Sequence, residues 1–267
     1  MKTERIGAGM FSCLALILAA CGQAAPEAQV PETPVPQSET GERQPVALMT
    51  TLPIYWPETA GFGDLLEQEG EQPWVRRQLE QDYRIEPLDY LGDGSLDPYG
   101  LLLMAQPRAL SGPENVALDE WVRKGGRLVL FADPLVTMHS RYGIADRRRP
   151  QAVALLSPIL ARWGLELAFD ENQDEGRRVV SAFDTEFPVD LAGTLRKVEV
   201  QAPADCALST GGHVAQCTIG KGMVVVIADT ALLDPDSGAH DSHAHPESSD
   251  KGGAAALKRL LALGFAG

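Results

Sequence analysis

The sequence predicts an α/β fold, a three-layer domain with a mostly parallel central sheet and a small antiparallel hairpin addition. Three observations carry this. Leu101–Ala105 (LLLMA) and 128–132 (LVLFA) are apolar runs too short for helices, bounded by Gly100, Pro107 and Asp133-Pro134, so each reads as a buried strand. Between them Ser111-Gly112-Pro113-Glu114 opens a helix with a capping box, and Gly125-Gly126 closes it. Strand, helix, strand at this spacing is a βαβ unit whose parallel strands are covered on both faces. Third, two alternating segments that carry Cys206 and Cys217 flank Gly211-Gly212, the pattern of an antiparallel hairpin.

The other elements follow in order. Residues 46–51 (VALMTT) read as the first strand, and Leu52 to Pro57 as a stiff loop with Tyr55 and Trp56 between prolines. An acidic stretch at 64–71 leads to a helix over 74–81 and an alternating strand at 83–88. In the βαβ helix, Ala117, Leu118, Trp121 and Val122 share one face. Residues 137–149 hold Arg141, Arg147, Arg148 and Arg149, a basic patch on an acidic chain. It reads either as a solvated loop or as a contact for an acidic partner or phosphate. A helix is expected over 152–163, capped by Gly164, with strands at 165–169 and from Val179. Strands follow at 195–202, 205–208, 213–219 and 223–228, and a closing helix at 251–263 turns Ala255, Leu257, Leu260 and Leu261 inward.

Residues 1–20 read as a secretory signal: Lys2 and Arg5 begin it, and residues 10–20 form an apolar core too short to span a bilayer. It ends Leu18-Ala19-Ala20-Cys21-Gly22, which resembles the lipobox of bacterial lipoproteins and implies lipidation of Cys21. With Gly rather than Asp after the Cys, that resemblance favours the outer membrane. Loss of 1–20, which carry one net positive charge, takes the formal charge from −14 to −15. So acidic a surface repels nucleic acid and anionic lipid, and attachment falls to the acyl chains. Residues 21–45, the lipidated Cys and a linker with five prolines and four glutamates, cannot bury enough apolar surface to order themselves. The linker reaches ~70 Å extended and ~27 Å as a loose coil. Residues 46–267 are then expected to form a single α/β domain.

With Cys13 in the signal and Cys21 lipidated, Cys206 and Cys217 remain. In an exported protein they read as a disulfide across the hairpin, with two free thiols as the alternative. The segment after the last strand holds His240, Asp241, His243 and His245, donors that suit zinc or copper. It leaves the C-terminal end of a central strand, where open α/β sheets place ligands; otherwise it is a solvated loop and the protein needs no cofactor. His139 and His213 stand alone and read as structural. Gln106, Asp133 and Asp229 also follow strands. They either line one ligand crevice, or each Asp caps its own loop.

Three segments carry a family resemblance: residues 101–135 (LLLMAQPRALSGPENVALDEWVRKGGRLVLFADPL), 157–167 (SPILARWGLEL) and 220–233 (GKGMVVVIADTALL). In this order they resemble the periplasmic portion of the auxiliary, gliding-motility-type component of ABC transporter systems, a relative of the class I glutamine-amidotransferase-like, flavodoxin-like domains. Those components are usually held by transmembrane helices; here a lipid anchor is the expected attachment instead. Amidotransferases of this fold place a Cys nucleophile at an elbow after a central strand. Here that place reads Met104-Ala105-Gln106-Pro107, and there is no G-x-S-x-G. The resemblance thus implies a non-catalytic periplasmic lipoprotein with a transporter or envelope protein as partner. The alternatives are a metal-binding protein using residues 240–245, and a degenerate hydrolase-like domain with an apolar pocket near Trp56 and Gln106.

Overall fold

The computed structural model describes residues 43–58, 72–201, 204–234 and 246–266, with side chains from Gly252 onward in the last segment. Strand β1 (Gln44–Thr50) lies at the middle of the winding. Helix α1 (Trp74–Asp82) leads into β2 (Tyr83–Pro87), which pairs parallel with β1. The βαβ unit follows as β3 (Leu101–Ala105), α2 (Gly112–Lys124) and β4 (Arg127–Phe131). After a short α3 (Ser157–Arg162) come β5 (Leu165–Ala168), β6 (Arg178–Ala182), β7 (Thr185–Val189) and β8 (Thr194–Lys197). Then β9 (Asp205–Leu208), β10 (Val214–Ile219) and β11 (Gly222–Ile227) close the sheet, a 3₁₀ turn spans Ala231–Leu233, and α4 (Pro246–Phe265) ends the fold.

The sheet has seven strands in the order β2-β1-β3-β4-β11-β10-β9. The first five run parallel; β10 and β9 are antiparallel. Alternation divides the side chains between two cores. Leu101, Leu103, Val129, Phe131 and Ile227 pack with Trp74, Leu79, Leu257, Leu260 and Leu261 of α1 and α4. Leu102, Met104, Leu128 and Leu130 pack with Leu118, Val122, Ile159, Leu160 and Trp163 of α2 and α3. Each fully buried Leu or Phe contributes about 1.5–3 kcal/mol relative to exposure.

Helix α2 starts as its sequence demands. The Ser111 and Glu114 side chains satisfy each other's backbone N–H, and Gly125 at φ 126° caps the C-terminus. Its last turn lies against β11 so closely that a Cβ on Gly222 would sit 2.0 Å from the Val122 carbonyl oxygen. Asp119, one position beyond Leu118, is buried. It accepts bonds from Arg123 Nε (2.9 Å), Arg162 Nε (2.5 Å) and Trp163 Nε1 (2.9 Å), tying α2 to α3. Burial pushes its carboxyl up, but Arg123, Arg162 and Trp163 outweigh burial and hold it below its ordinary value.

Cys206 and Cys217 stand directly opposite each other on β9 and β10 and form the expected disulfide. The bridge joins residues 11 apart. Closing a loop of that size removes about 3 kcal/mol of unfolded-chain entropy. The double change Cys206→Ala, Cys217→Ala is expected to lower unfolding free energy in urea by about 2–3 kcal/mol. Reductant should produce the same loss in the unchanged protein and none in the variant; equal urea midpoints for the two under oxidising conditions would refute this.

Several expectations need correction. The helix expected over 152–163 is only Ser157–Arg162; residues before it run beside the exit of β4, with Ala154 N–H donating to Asp133 O at 2.8 Å. The strand expected at 165–169 is Leu165–Ala168, β5, which pairs antiparallel with β8 in a separate two-stranded sheet. The strand at 195–202 shortens to Thr194–Lys197. Val179 belongs to a hairpin whose second strand, β7, had no sequence signal because TEFPV mixes a charge and a proline. On α4 it is Ala256, not Ala255, that turns inward.

Candidate functional site

In an open sheet of this order the chain leaves β1 first toward β2 and then toward β3, and ligands bind at the C-terminal strand ends beside that reversal. Gln106 lies there, directly after β3. It is fully buried and adopts a left-handed φ of 43°, a conformation that costs a non-glycine residue about 1–3 kcal/mol. Its amide offsets that cost: Nε2 donates to Asp133 O (3.0 Å) and Gln151 O (2.9 Å), and Oε1 accepts from Asp133 N–H (2.8 Å). Thr51 closes the same place, its Oγ1 donating to Gln106 O at 2.5 Å and accepting from Gln151 N–H at 3.0 Å. The chain thus turns directly after β3 on a buried amide whose oxygen and nitrogen are both hydrogen-bonded.

Asp133 and Asp229 end the adjacent strands β4 and β11 and are both buried. Asp133 Oδ1 accepts from Leu135 N–H (2.8 Å), and its Oδ2 from Thr230 N–H (3.0 Å) and Thr230 Oγ1 (2.6 Å). Asp229 Oδ1 accepts from Ala231 N–H (2.6 Å), and its Oδ2 from Asp190 N–H (2.9 Å). Each carboxylate therefore caps the loop two residues ahead and also pins a second loop. Burial pushes Asp133 up, with Asp190 adding to the push against the bonds from Thr230 and Leu135. Burial pushes Asp229 up further, helped by the charge of Asp133.

The remaining candidates divide. Cys21, His240, Asp241, His243 and His245 lie outside the described residues, so lipidation and metal binding there are expectations of the sequence alone. Among the described residues no cluster of three or more His, Cys, Asp or Glu is arranged to hold a metal. His213 Nδ1 sits 3.2 Å from Gly193 O, and burial lowers its pKa. His139 is exposed. Of the aromatic pair, Tyr55 is buried, while Trp56 is 61% exposed, edge-on to Tyr55 with the Arg76 guanidinium 5.3 Å from its ring.

Sequence reasoning missed the reach of Glu114. Beyond its capping role it bonds Leu91 N–H (3.2 Å) and Arg108 (2.7 and 3.0 Å), partners that an apolar-stripe reading of α2 cannot reveal. Two cavities of about 470 and 530 Å³ share Asp184 and Arg259 between the β6–β7 hairpin and α4. A third, of about 400 Å³, lies beside Cys206. None of the three is lined by Gln106, Asp133 or Asp229. No helix among the described residues is long and apolar enough to cross a membrane.

This architecture defines a doubly wound, flavodoxin-like α/β protein in which Gln106, Asp133 and Asp229 are buried at the strand ends and bonded to neighbouring loops. A family model described as an ABC-type uncharacterized transport system matches residues 40–188, more than half of the chain; the chain belongs to that auxiliary transport family. No curated protein matches it. Among solved structures it is similar to Gan42B, a GH42 beta-galactosidase from G. stearothermophilus, with 16% identity and a TM-score of 0.42 over 82% of this chain and 30% of that one. It is also similar to an exo-beta-1,4-mannosidase from Opitutaceae bacterium strain TAV5, with 12% identity and a TM-score of 0.48 over 82% and 36%. A thua-like protein from Parabacteroides merdae shows 9% identity and a TM-score of 0.31 over 70% and 79%. The chain thus spans only about a third of either glycosidase. Likenesses this distant say nothing about activity.

Proposed function

We propose that this protein is a non-catalytic, lipid-anchored accessory subunit on the periplasmic side of the bacterial envelope, serving as a scaffold in an ABC-type transport or envelope system. Family membership supports the transport part of this reading. The observation that carries the non-catalytic part is Gln106. At the elbow where amidotransferases of this fold hold their nucleophile, its amide is spent on Asp133 and Gln151. Nucleophilic catalysis needs an activated group with a base in hydrogen-bond reach, and an amide supplies neither. Lipidation of Cys21 rests on the lipobox resemblance. The test is affinity isolation from detergent-solubilised membranes after growth with labelled palmitate. The expected result is a palmitate-labelled protein that brings a permease or ATPase with it. Recovery of no transport or envelope component would refute the scaffold role, and unlabelled protein would refute the anchor.

A further inference from the structure

We propose that the loop between β4 and α3, residues 137–149, is a preformed docking element that seats Ile144 in an apolar socket rimmed by carboxylates on a partner protein. Ile144 is 93% exposed. It sits inside a tight turn closed by Asp146 N–H donating to Gly143 O at 2.9 Å. An apolar side chain displayed this way on a slack loop would be unremarked, but this loop is braced on both sides of the turn. On the N-terminal side, Glu58 accepts Ser140 Oγ (2.6 Å) and Arg141 N–H (2.7 Å), and Arg141 Nη1 donates to Glu58 O (3.2 Å). On the C-terminal side, Asp146 accepts Arg148 N–H (2.9 Å) and Arg148 Nη2 (2.7 Å). The Arg148 guanidinium lies 4.3 Å from the Tyr142 ring centroid, and Arg149 Nη1 donates to Tyr142 O at 2.6 Å. Buried Met138 anchors the base.

These contacts order the loop before any partner arrives, which removes much of the entropy cost that association otherwise carries. They also account for three of the four arginines of the basic patch, which brace the loop while their charge remains. Arg147 is exposed and has no partner among the described residues. Arg141, Arg147, Arg148 and Arg149 against Asp146 leave the segment at +3, and at +2 with the Glu58 carboxylate that braces it, on a chain of −14. An apolar anchor on a net-cationic loop is complementary to an apolar pocket bordered by anions, with the charges setting encounter rate and register and the anchor setting affinity. A protein partner, rather than a lipid surface, rests on the transport-subunit reading above.

The test places a photo-crosslinking amino acid at Ala145 in the full-length protein in cells, with a control at Val179, which is 69% exposed on β6. We expect one discrete protein adduct at position 145, mapped to an acidic segment of the partner, and none at 179. Ile144→Asp and Arg147→Glu should each weaken it about tenfold, with unchanged thermal melting because both side chains are exposed. Reversing a partner carboxylate at the mapped segment should restore the adduct to the Arg147→Glu protein. Adducts with phospholipid alone, adducts joining two copies of this chain, no adduct, or an adduct insensitive to both changes would each overturn the proposal. A charge-dependent adduct with a protein outside any transport system would uphold the loop's role and overturn the transport reading instead.

Discussion

Replacing Glu114 with glutamine is expected to lower the stability of the fold by about 3 kcal/mol. Glu114 is buried, and every partner around it is a donor. Oε2 accepts Ser111 N–H at 2.9 Å, Ser111 Oγ at 2.8 Å and Arg108 Nη1 at 3.0 Å. Oε1 accepts Arg108 Nη2 at 2.7 Å and Leu91 N–H at 3.2 Å. The Arg108 hydrogen bonds are the largest cause holding its carboxyl down to about 2, outweighing burial, with Ser111 and Leu91 adding to them. Glutamine turns an NH₂ group toward donors on one side or the other, so at least one buried N–H loses its acceptor. Breaking a buried ion pair costs about 3–5 kcal/mol. Arg108 is 43% exposed at its side chain and can be rehydrated, which places the loss at the lower end. Urea unfolding measures it, with Glu120→Gln as control. Glu120 faces solvent, and its Lys124 pair is long at 3.7 Å, so that change should stay within about 0.5 kcal/mol. A loss below about 1 kcal/mol for Glu114→Gln would show that Glu114 is not the node joining α2 to its two neighbouring loops.

The second expectation is that the protein is most stable in mildly acidic solution and loses stability on both sides. Asp133 and Asp229 hold protons more tightly in the folded protein than at the ordinary 3.8, through burial first and then through neighbouring acids. The folded state therefore binds more protons than the unfolded chain above that value. Stability from this pair is full below the unfolded pKa and is lost as pH rises through the folded values. Glu114 has the opposite sign: its contribution is present above its ordinary 4.5 and is lost as pH falls toward about 2. Asp119 acts in the same direction as Glu114. Between its two titration points each proton gives a slope approaching about 1.4 kcal/mol per pH unit. Asp229→Asn fixes the uncharged form while retaining one acceptor oxygen, so it should flatten the neutral-side decline and leave the acid-side decline intact. Thermal melting from pH 3 to pH 8 would show this; identical profiles for the two proteins would refute it.

How much was legible in the chain depended on how local the deciding interaction was. The β3–α2–β4 unit was readable almost to the residue. A five-residue apolar run, a Ser–Glu capping box and a glycine pair each act within a few positions. The hairpin disulfide was readable because two alternating segments around a glycine turn leave little choice of register. By contrast, the apolar residues at 152–156 continue a helical pattern, yet Ala154 N–H finds a carbonyl acceptor at Asp133 and helix is not needed. Strand β7 carries Pro188 and Glu186 and exists because β6 pairs with it and α4 packs against it.

At the candidate site the division is the same. By itself the chain determined the parallel sheet, the places where strands end, and the absence of a nucleophile at residue 106, because composition and short-range spacing are enough for these. Only the tertiary structure decided which groups Gln106, Asp133 and Asp229 bond at the strand ends. Their partners lie 27 to 97 residues away for the bonds from Gln106 to Asp133 and from Thr230 to Asp133. A buried polar group takes whichever partner the packing brings within reach, and no local pattern records which one that will be.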